Sequence, residues 1–235
     1  MKTLIILGSG EFTPHMSQID TDLALVNAQV KPVKIGIIPT AADDIEDCKR
    51  WINKGTKHFN ELNIESMGIP LFEQKNANDS KIIKLLDDTS WMYFSGGSPT
   101  KLMTTISNSK FLESVLECYQ KGVYLCGSSA GAMIMGSQIP THFNFSINKP
   151  IEYSKGLDLL PYTIIPHFDM IRKFSIGLID ILINSKNNWL CIDENTAIII
   201  EDNHNAMVKG KGQVHVVKRD EKKVYRSGDS FILNP

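Results

Sequence analysis

The fold is indicated most clearly by residues 122 to 132, Gly122-Val-Tyr-Leu-Cys-Gly-Ser-Ser-Ala-Gly-Ala132. A short apolar run precedes a Gly-x-Ser-x-Gly pattern, and an Ala- and Met-rich stretch follows it. This order is typical of a nucleophile elbow, in which a strand turns sharply into a helix and lifts the central serine above the sheet edge. The pattern makes Ser129 a candidate nucleophile and places the N–H of Ala130 where it can donate to an oxyanion. An ordinary Gly/Ser turn gives the same pattern, so the prediction depends on partners elsewhere in the chain.

The first 136 residues alternate apolar strand-like runs with stretches at helical spacing, which is typical of a parallel sheet covered by helices on both faces. The predicted strands are Thr3 to Leu7, Val33 to Pro39, Ile64 to Ile69, Trp91 to Phe94 and Val123 to Cys126. The predicted helices are Gln18 to Gln29, Asp43 to Leu62, Ser80 to Leu86, Thr100 to Ile106 and Phe111 to Gln120. Several strands end in Gly or Pro before a helix, so we expect ligands at the carboxyl edge of the sheet.

After residue 140 the pattern loosens as far as Pro166, and a helix is predicted near Arg172 to Ile183. Short strands separated by Gly or Asp turns follow, which predicts an antiparallel β meander appended to the sheet. These strands are Trp189 to Asp193, Ala197 to Glu201, Ala206 to Val208, Val214 to Lys218, Lys223 to Tyr225 and Phe231 to Leu233. No repeat or Ser/Gly linker divides the chain, so residues 1–235 are predicted to form a single α/β domain.

The composition argues against several classes of function. The 235 residues include 25 Lys and Arg against 26 Asp and Glu, so no overall charge attracts nucleic acid or an anionic membrane. No apolar run is long enough to span a bilayer, and the apolar stretch before Gly8 is too short for the core of a signal peptide. The four cysteines show no Cys-x-x-Cys spacing, which suits reduced thiols and predicts a cytoplasmic protein.

A second glycine turn occurs at residues 94 to 102, Phe94-Ser-Gly-Gly-Ser-Pro-Thr-Lys-Leu102. The Gly pair ends the fourth predicted strand, and Ser98 and Pro99 suit the N-cap and first position of a helix. Glycine allows the backbone to approach a ligand closely, so the N–H of Gly97 is a candidate second oxyanion donor. A turn that needs glycine only for its dihedral angles is the alternative.

The candidate general base is His167, because the apolar run Thr163-Ile-Ile-Pro166 can project it over the sheet edge. The other histidines lie in or beside early helices, in a polar loop, or in late strands and turns: His15, His58, His142, His204 and His215. An imidazole accepts the serine proton and later protonates the leaving amine, most effectively when a carboxylate holds its other nitrogen. Asp169, Asp193 and Glu194 are candidates for that carboxylate. A structural role for His167 is the alternative.

Four motifs resemble those of the S51 serine peptidases, a family that includes aspartyl dipeptidase (peptidase E) and cyanophycinase. They are Gly-x-Ser-Ala-Gly-Ala at 127 to 132, Gly-Gly at 96 and 97, His-Phe at 167 and 168 with a downstream arginine, and Ile-Asp-Glu-Asn-Thr-Ala at 192 to 197. The likeness spans residues 3 to about 200, and it implies a fold similar to that of class I glutamine amidotransferases. The implied roles are nucleophile for Ser129, base for His167, acid for Glu194 as in the cyanophycinase branch, and oxyanion donors for Gly97 and Ala130.

The resemblance also bears on substrate recognition. It implies that Gly96 and Ser98 lie near the substrate, and that a cation meets an aspartyl carboxylate if the family's preference persists. Arg172 is the candidate, with Lys173 beside it, and a helix-capping or solvent-exposed role is the alternative. The chain departs from the family pattern at Ser98-Pro99, where cyanophycinases have Asp-Gln and dipeptidases Asn-Thr, and at Pro166, where cyanophycinases tend to have Gln.

The predicted function is therefore hydrolysis of peptide or isopeptide bonds in small peptides, next to an aspartyl residue, through an acyl-enzyme on Ser129. No metal or cofactor is implied. The expected partner is a small peptide, without nucleic acid or membrane, and exposed strand edges allow a homodimer. Two alternatives stay open: a binding protein of the same fold without turnover, and an α/β-hydrolase esterase, whose acid precedes its histidine. The first glycine turn, Gly8-Ser-Gly10, lacks the third glycine of a dinucleotide fingerprint and is interpreted as a structural or substrate-side loop.

Overall fold

Two β-sheets organise the computed structural model, which describes residues 2–28, 32–141, 151–175, 177–202 and 204–234. In chain order the strands are β1 (Thr3–Leu7), β2 (Lys34–Ile38), β3 (Glu65–Gly68), β4 (Trp91–Phe94), β5 (Tyr124–Ser128), β6 (Gly136–Pro140), β7 (Tyr153–Lys155), β8 (Leu160–Ile165), β9 (Trp189–Ile192), β10 (Thr196–Glu201), β11 (Asn205–Gly210), β12 (Gln213–Lys218), β13 (Glu221–Arg226) and β14 (Ser230–Ile232). The larger sheet has the order β14-β11-β10-β1-β5-β4-β2-β3. The five neighbouring strands β1, β5, β4, β2 and β3 pair in parallel. Strands β10, β11 and β14 extend the sheet beyond β1 with antiparallel pairs.

The helices are α1 (Ser17–Ala28), α2 (Ile45–Glu61), α3 (Ser80–Lys84), α4 (Pro99–Ile106), α5 (Lys110–Gln120), α6 (Ala130–Met133), α7 (Phe168–Phe174) and α8 (Leu178–Ile183). Side-chain caps fix several of their starts. For example, the Asp44 carboxylate accepts the N–H of Asp47 at the start of α2. Within the described part of the chain, no helix is both long and apolar enough to cross a membrane.

Helices cover both faces of the parallel part of the larger sheet. Successive side chains of a strand point to opposite faces, so β1 contributes alternate residues to two cores. Leu4 and Ile6 belong to a core with residues of α4, α5 and α6, whereas Ile5 and Leu7 belong to a core with residues of α1 and α2. The predicted fold class, a mostly parallel α/β sheet sandwiched by helices, is confirmed.

The second sheet has six strands in the order β13-β12-β9-β8-β6-β7. Antiparallel strands at the C-terminus are confirmed, and the structure adds that they are shared between the two sheets. The loosely patterned stretch after residue 140 contains strands β7 and β8. The predicted helix near Arg172 to Ile183 is two helices, because Gly177 has a positive φ of 74° and begins α8 in the left-handed conformation.

The carboxyl ends of five strands meet at one place. In the larger sheet, β5 lies between β1 and β4, with Ser128 opposite Leu7 and Gly127 opposite Phe94. In the second sheet, β8 and β9 are parallel neighbours, with Ile165 opposite Cys191. The residues that follow these strands form the candidate site.

Candidate active site

Ser129 occupies a sharp turn between β5 and α6. Its φ of 50° and ψ of −111° are unusual for a residue with a side chain, as is typical of a nucleophile elbow. Close backbone contacts require glycine on both sides of it. A Cβ at Gly127 would lie 2.2 Å from the Gly131 oxygen, and a Cβ at Gly131 would lie 2.3 Å from the Phe94 oxygen. The turn therefore holds the Ser129 hydroxyl at the sheet edge.

His167 lies beside this serine, with its Nε2 atom 2.9 Å from Ser129 Oγ. It follows β8, has a left-handed backbone conformation and precedes the first residue of α7. Its backbone N–H donates to the Gly8 oxygen at 3.3 Å, which ties the second sheet to the loop after β1. Its side chain is 37% exposed, so a substrate can reach the Ser–His pair from solvent.

Glu194 is the carboxylate that contacts the imidazole, with Oε1 2.8 Å from His167 Nδ1. The two residues follow the neighbouring parallel strands β8 and β9, which explains why they lie side by side. The other two candidates point elsewhere. Asp169 Oδ1 accepts the backbone N–H of Glu194 at 2.9 Å, and Asp193 Oδ2 accepts the N–H of Gln213 at 2.9 Å. The structure thus brings Ser129, His167 and Glu194 into one hydrogen-bonded chain.

Gly97 occupies a turn that excludes other residues. Its φ is 135°, and a Cβ there would lie 2.1 Å from the Ala41 oxygen. The N–H groups on either side of it are occupied, since Gly96 donates to Glu11 Oε1 at 3.0 Å and Ser98 donates to the Ala41 oxygen at 2.7 Å. The N–H of Gly97 itself has no acceptor among the described residues.

Ala130 presents a second unpaired N–H, at the first position of α6, again with respect to the described residues. Ala130 is fully buried, and a buried N–H without an acceptor is rare in folded proteins. The Gly96 turn lies close to the serine, because a Cβ built on Gly96 would be 3.7 Å from Ser129 Oγ. The two unpaired N–H groups therefore belong to the two turns that meet at this hydroxyl.

Ser98 and Arg172, the candidate substrate-binding residues, also contact other groups of the protein. The Ser98 hydroxyl accepts the N–H of Lys101 at 3.2 Å and caps α4. The Arg172 guanidinium lies 3.6 Å from Asp193 Oδ2 and 3.4 Å from His215 Nε2, while its side chain is 39% exposed. The structure therefore pairs Arg172 with Asp193, the residue that precedes Glu194.

Burial changes the protonation of the groups around Arg172. It raises the pKa of Asp193, an effect that the Gln213 N–H and Arg172 oppose. Burial, together with the positive charges of Lys222 and Arg172, lowers the pKa of His215 to about 4. His215 is therefore neutral at pH 7, and Arg172 is the cation that faces Asp193.

Glu11 is a site residue that the sequence analysis did not single out. It is 5% exposed, its Oε1 atom accepts the Gly96 N–H, and its Oε2 atom accepts the Ser128 hydroxyl at 2.6 Å. The sequence did contain a signal for Glu11, because this acidic residue directly follows the glycine turn that ends a buried strand. The turn, interpreted as a structural or substrate-side loop, accepts the backbone N–H groups of His167 at Gly8 and of Asn195 at Ser9. The Ser129 N–H donates to Leu7, the residue just before this turn.

Comparison with known proteins gives consistent results. The model of peptidase family S51 matches residues 4–208. The chain is 23% identical over 171 residues to the uncharacterized peptidase YgaJ of Bacillus subtilis, which covers 72% of this chain and 70% of the relative. It is 27% identical over 135 residues to peptidase E of Nostoc sp., which covers 57% of this chain and 52% of the relative.

Two solved structures have the same fold. A peptidase from an acI-B1 Actinobacterium superposes with a TM-score of 0.86 at 26% identity, covering 99% of this chain and 97% of the other. A putative peptidase E protein from Listeria monocytogenes EGD-e superposes with a TM-score of 0.65 at 18% identity, covering 90% and 100%. The second likeness concerns the fold alone.

Proposed function

The chain belongs to peptidase family S51, and from this premise we propose that it is a serine-type peptidase that cleaves small peptides through an acyl-enzyme on Ser129. The peptidase class itself follows from the family and from the peptidases among its relatives. One observation carries the proposed mechanism: Ser129 Oγ, His167 and Glu194 form a continuous chain with contacts of 2.9 and 2.8 Å.

The mechanism follows from these contacts. Ser129 Oγ attacks the scissile carbonyl carbon while His167 Nε2 accepts the serine proton. Glu194 accepts a hydrogen bond from His167 Nδ1–H and stabilises the imidazolium that forms. The developing oxyanion accepts from Gly97 and Ala130, and loss of one such donor typically costs about 3 to 4 kcal/mol. His167 then protonates the leaving amine. A water molecule, deprotonated by the same imidazole, hydrolyses the ester on Ser129.

We extend the proposal to substrates with an aspartyl residue, because Arg172 is a partly exposed cation on the helix that begins next to His167. A guanidinium has five N–H donors in a planar fork, so Arg172 can hold Asp193 and still donate to a substrate carboxylate. The sequence relative named peptidase E and the resemblance in the His-Phe motif support this extension. The proposed substrates are thus small acidic peptides.

The proposal is tested by incubating the wild type and Ser129→Ala with α-aspartyl, β-aspartyl and neutral dipeptides and with simple esters, and by following products by mass spectrometry. Cleavage of aspartyl peptides by the wild type alone is the expected result. Cleavage of esters alone would favour an esterase, and binding without cleavage would favour a site that does not turn over. Arg172→Met should lower kcat/KM for aspartyl peptides more than for neutral ones, whereas the neighbouring Lys173→Met should change neither.

A further inference from the structure

We propose that Glu11 is a positioning residue that fixes the oxyanion hole against Ser129, through simultaneous hydrogen bonds to the two turns that carry its donors. This inference rests on the proposed function. Glu11 Oε1 accepts the N–H of Gly96, the residue before Gly97, and Oε2 accepts the hydroxyl of Ser128, the residue before Ser129. One carboxylate therefore holds both the residue before Gly97 and the residue before Ser129.

The two turns have different backbone neighbours once the strand ladder ends. The last paired residues of β4 and β5 are Phe94 and Gly127. Beyond them, the N–H of Ser95 donates to the Ile38 oxygen of β2, on one side of the ladder. The N–H of Ser129 donates to the Leu7 oxygen of β1, on the other side. Glu11 thus links two turns whose backbones are otherwise bonded in opposite directions.

The rigidity of peptide groups makes this link effective. Glu11 anchors the Gly96 N–H and the Ala41 oxygen anchors the Ser98 N–H, so the planar peptide that carries the Gly97 N–H is held from both sides. The distances are close: a Cβ built on Gly96 would lie 2.8 Å from Glu11 Oε1 and 3.7 Å from Ser129 Oγ. A small displacement of this turn would therefore move the Gly97 N–H relative to the nucleophile. Oxyanion donors are effective only within a narrow range of distances.

The chemistry of Glu11 also indicates a positional role. It is 5% exposed, and both of its hydrogen-bond donors are neutral groups. Burial of a carboxylate among neutral donors is costly for folding, and such costs are typical of functional sites. A negative charge next to a developing oxyanion does not stabilise it. The benefit of Glu11 must therefore come from its reach across both turns. A glutamine keeps this reach, because its amide oxygen can accept the Gly96 N–H while its amide N–H donates to the Ser128 hydroxyl, which then acts as the acceptor.

The experiment compares kcat and KM of the wild type, Glu11→Ala and Glu11→Gln on a peptide cleaved in a Ser129-dependent manner. It also compares inhibition by a peptide aldehyde, whose carbonyl adds the Ser129 O–H to form a hemiacetal with its oxygen in the oxyanion hole. We expect Glu11→Ala to lower kcat about a hundredfold with KM changed less than about threefold, and to weaken aldehyde inhibition by a similar factor. Glu11→Gln should keep kcat within about tenfold of the wild type.

A matched control is Ser109→Ala. Ser109 is also buried, and its hydroxyl makes two hydrogen bonds, to the Ile106 oxygen and from the Leu112 N–H at the start of α5. It should lose stability but keep the wild-type kcat and KM. Unchanged kcat in Glu11→Ala would overturn the positioning role. Equal losses in Glu11→Gln and Glu11→Ala would also overturn it, because the charge would then be the required property.

Two further measurements apply if Glu11→Ala does not fold or if the wild type cleaves no peptide. If Glu11→Ala does not fold, Glu11→Asp replaces it: the shorter side chain keeps the charge but cannot bridge both turns, so it should lose kcat where Glu11→Gln retains it. The reverse order would refute the proposal.

If the wild type cleaves no peptide, the proposed function fails, and the amide NMR signal of Gly97 then tests whether Glu11 positions this turn. This signal should shift in the folded alanine or aspartate variant and return in Glu11→Gln, and an unmoved signal would contradict the link.

Discussion

The orientation of the His167 ring depends on one carboxylate, Glu194. Its Oε1 atom lies 2.8 Å from Nδ1, and its own backbone N–H is held by Asp169. A carboxylate in this position accepts a hydrogen bond from Nδ1–H and so favours the tautomer with Nε2 unprotonated, which is the form that can accept a proton from Ser129. In the proposed mechanism Glu194 thus sets the tautomer of His167, and Asp169 holds the backbone of Glu194 in place.

We predict that Glu194→Gln lowers kcat/KM by roughly 10² to 10⁴-fold, because the amide can donate to Nδ1 and stabilise the wrong tautomer. The measurement is steady-state kinetics with an aspartyl dipeptide, together with a melting curve that verifies folding. Asp193→Asn is the matched comparison and should have a smaller effect on the rate. An unchanged kcat/KM in Glu194→Gln would contradict the orienting role of this carboxylate.

The sequence predicted part of this constellation. Ser129 and His167 each follow an apolar run, so their place at a strand end could be predicted from the chain alone. The spacing could not choose among Asp169, Asp193 and Glu194, and only the resemblance to the S51 family pointed to Glu194. Glu11 was missed since its partners lie 85 and 117 residues away in the sequence. The catalytic and binding roles of these residues stay predictions.

Among the structural elements, the turn between β5 and α6 is tightly packed. Helix α6 packs so closely against β4 that a Cβ at Gly131 would lie 2.3 Å from the Phe94 oxygen. This contact holds the elbow against the neighbouring strand, whose own turn carries Gly97. The order of the glycines in the sequence therefore reflects backbone packing as well as the conformation of Ser129.

We predict that Gly131→Ala destabilises the protein by about 3 kcal/mol, because its Cβ would lie 2.3 Å from a backbone oxygen that cannot move alone. Gly177→Ala is the control, since its positive φ of 74° is strained for alanine but no atom lies within 4 Å of the new Cβ. The control should cost about 1 kcal/mol. Denaturant unfolding of both variants checks this, and equal losses would show that packing at the elbow is looser than described.

The elements of the first half were predictable because hydrophobic periodicity records which side of a strand or helix is buried. The predicted strand at Thr3 to Leu7 and that at Trp91 to Phe94 have the observed boundaries. The stretch after residue 140 was harder. Strand β7 has only three residues, all at least partly exposed, and β8 begins with a Leu-Pro pair, so neither gives a clear alternation.

At the scale of the whole molecule, the C-terminal strands join the two halves of the site. Strands β9, β12 and β13 belong to the second sheet, whereas β10, β11 and β14 extend the larger one. The chain thus changes sheets between Ile192 and Thr196, and Glu194 lies within that crossing. Sequence alternation shows that a segment is a strand but does not identify its partner, so this division could not be predicted.

We predict that one buried histidine makes the stability of the molecule depend on pH. Burial lowers the pKa of His215 to about 4, so between about pH 6.5 and pH 4 the unfolded chain binds a proton that the folded protein does not. The contribution of neutral His215 to the free energy of unfolding is therefore fully present above about pH 6.5 and is lost as the pH falls towards 4. The loss from this group between pH 7 and pH 5 is about 2 kcal/mol.

The measurement is urea unfolding of the wild type and His215→Gln at both pH values. Asp20 and Asp193 have raised pKa values and act in the opposite direction, so the difference between the two proteins isolates the histidine. The wild type should lose about 2 kcal/mol more than the variant. Parallel pH profiles would show that His215 titrates equally in the folded and unfolded states.

The most direct test of the mechanism is covalent labelling of the nucleophile. A fluorophosphonate reacts with an activated serine by forming an Oγ–P bond, while fluoride leaves and the base takes the proton. After digestion and mass spectrometry, we expect the label on Ser129, a much slower reaction in His167→Ala and Glu194→Gln, and no label on that peptide in Ser129→Ala. A label on another serine, or an undiminished label in Ser129→Ala, would contradict the assignment of Ser129 as the nucleophile.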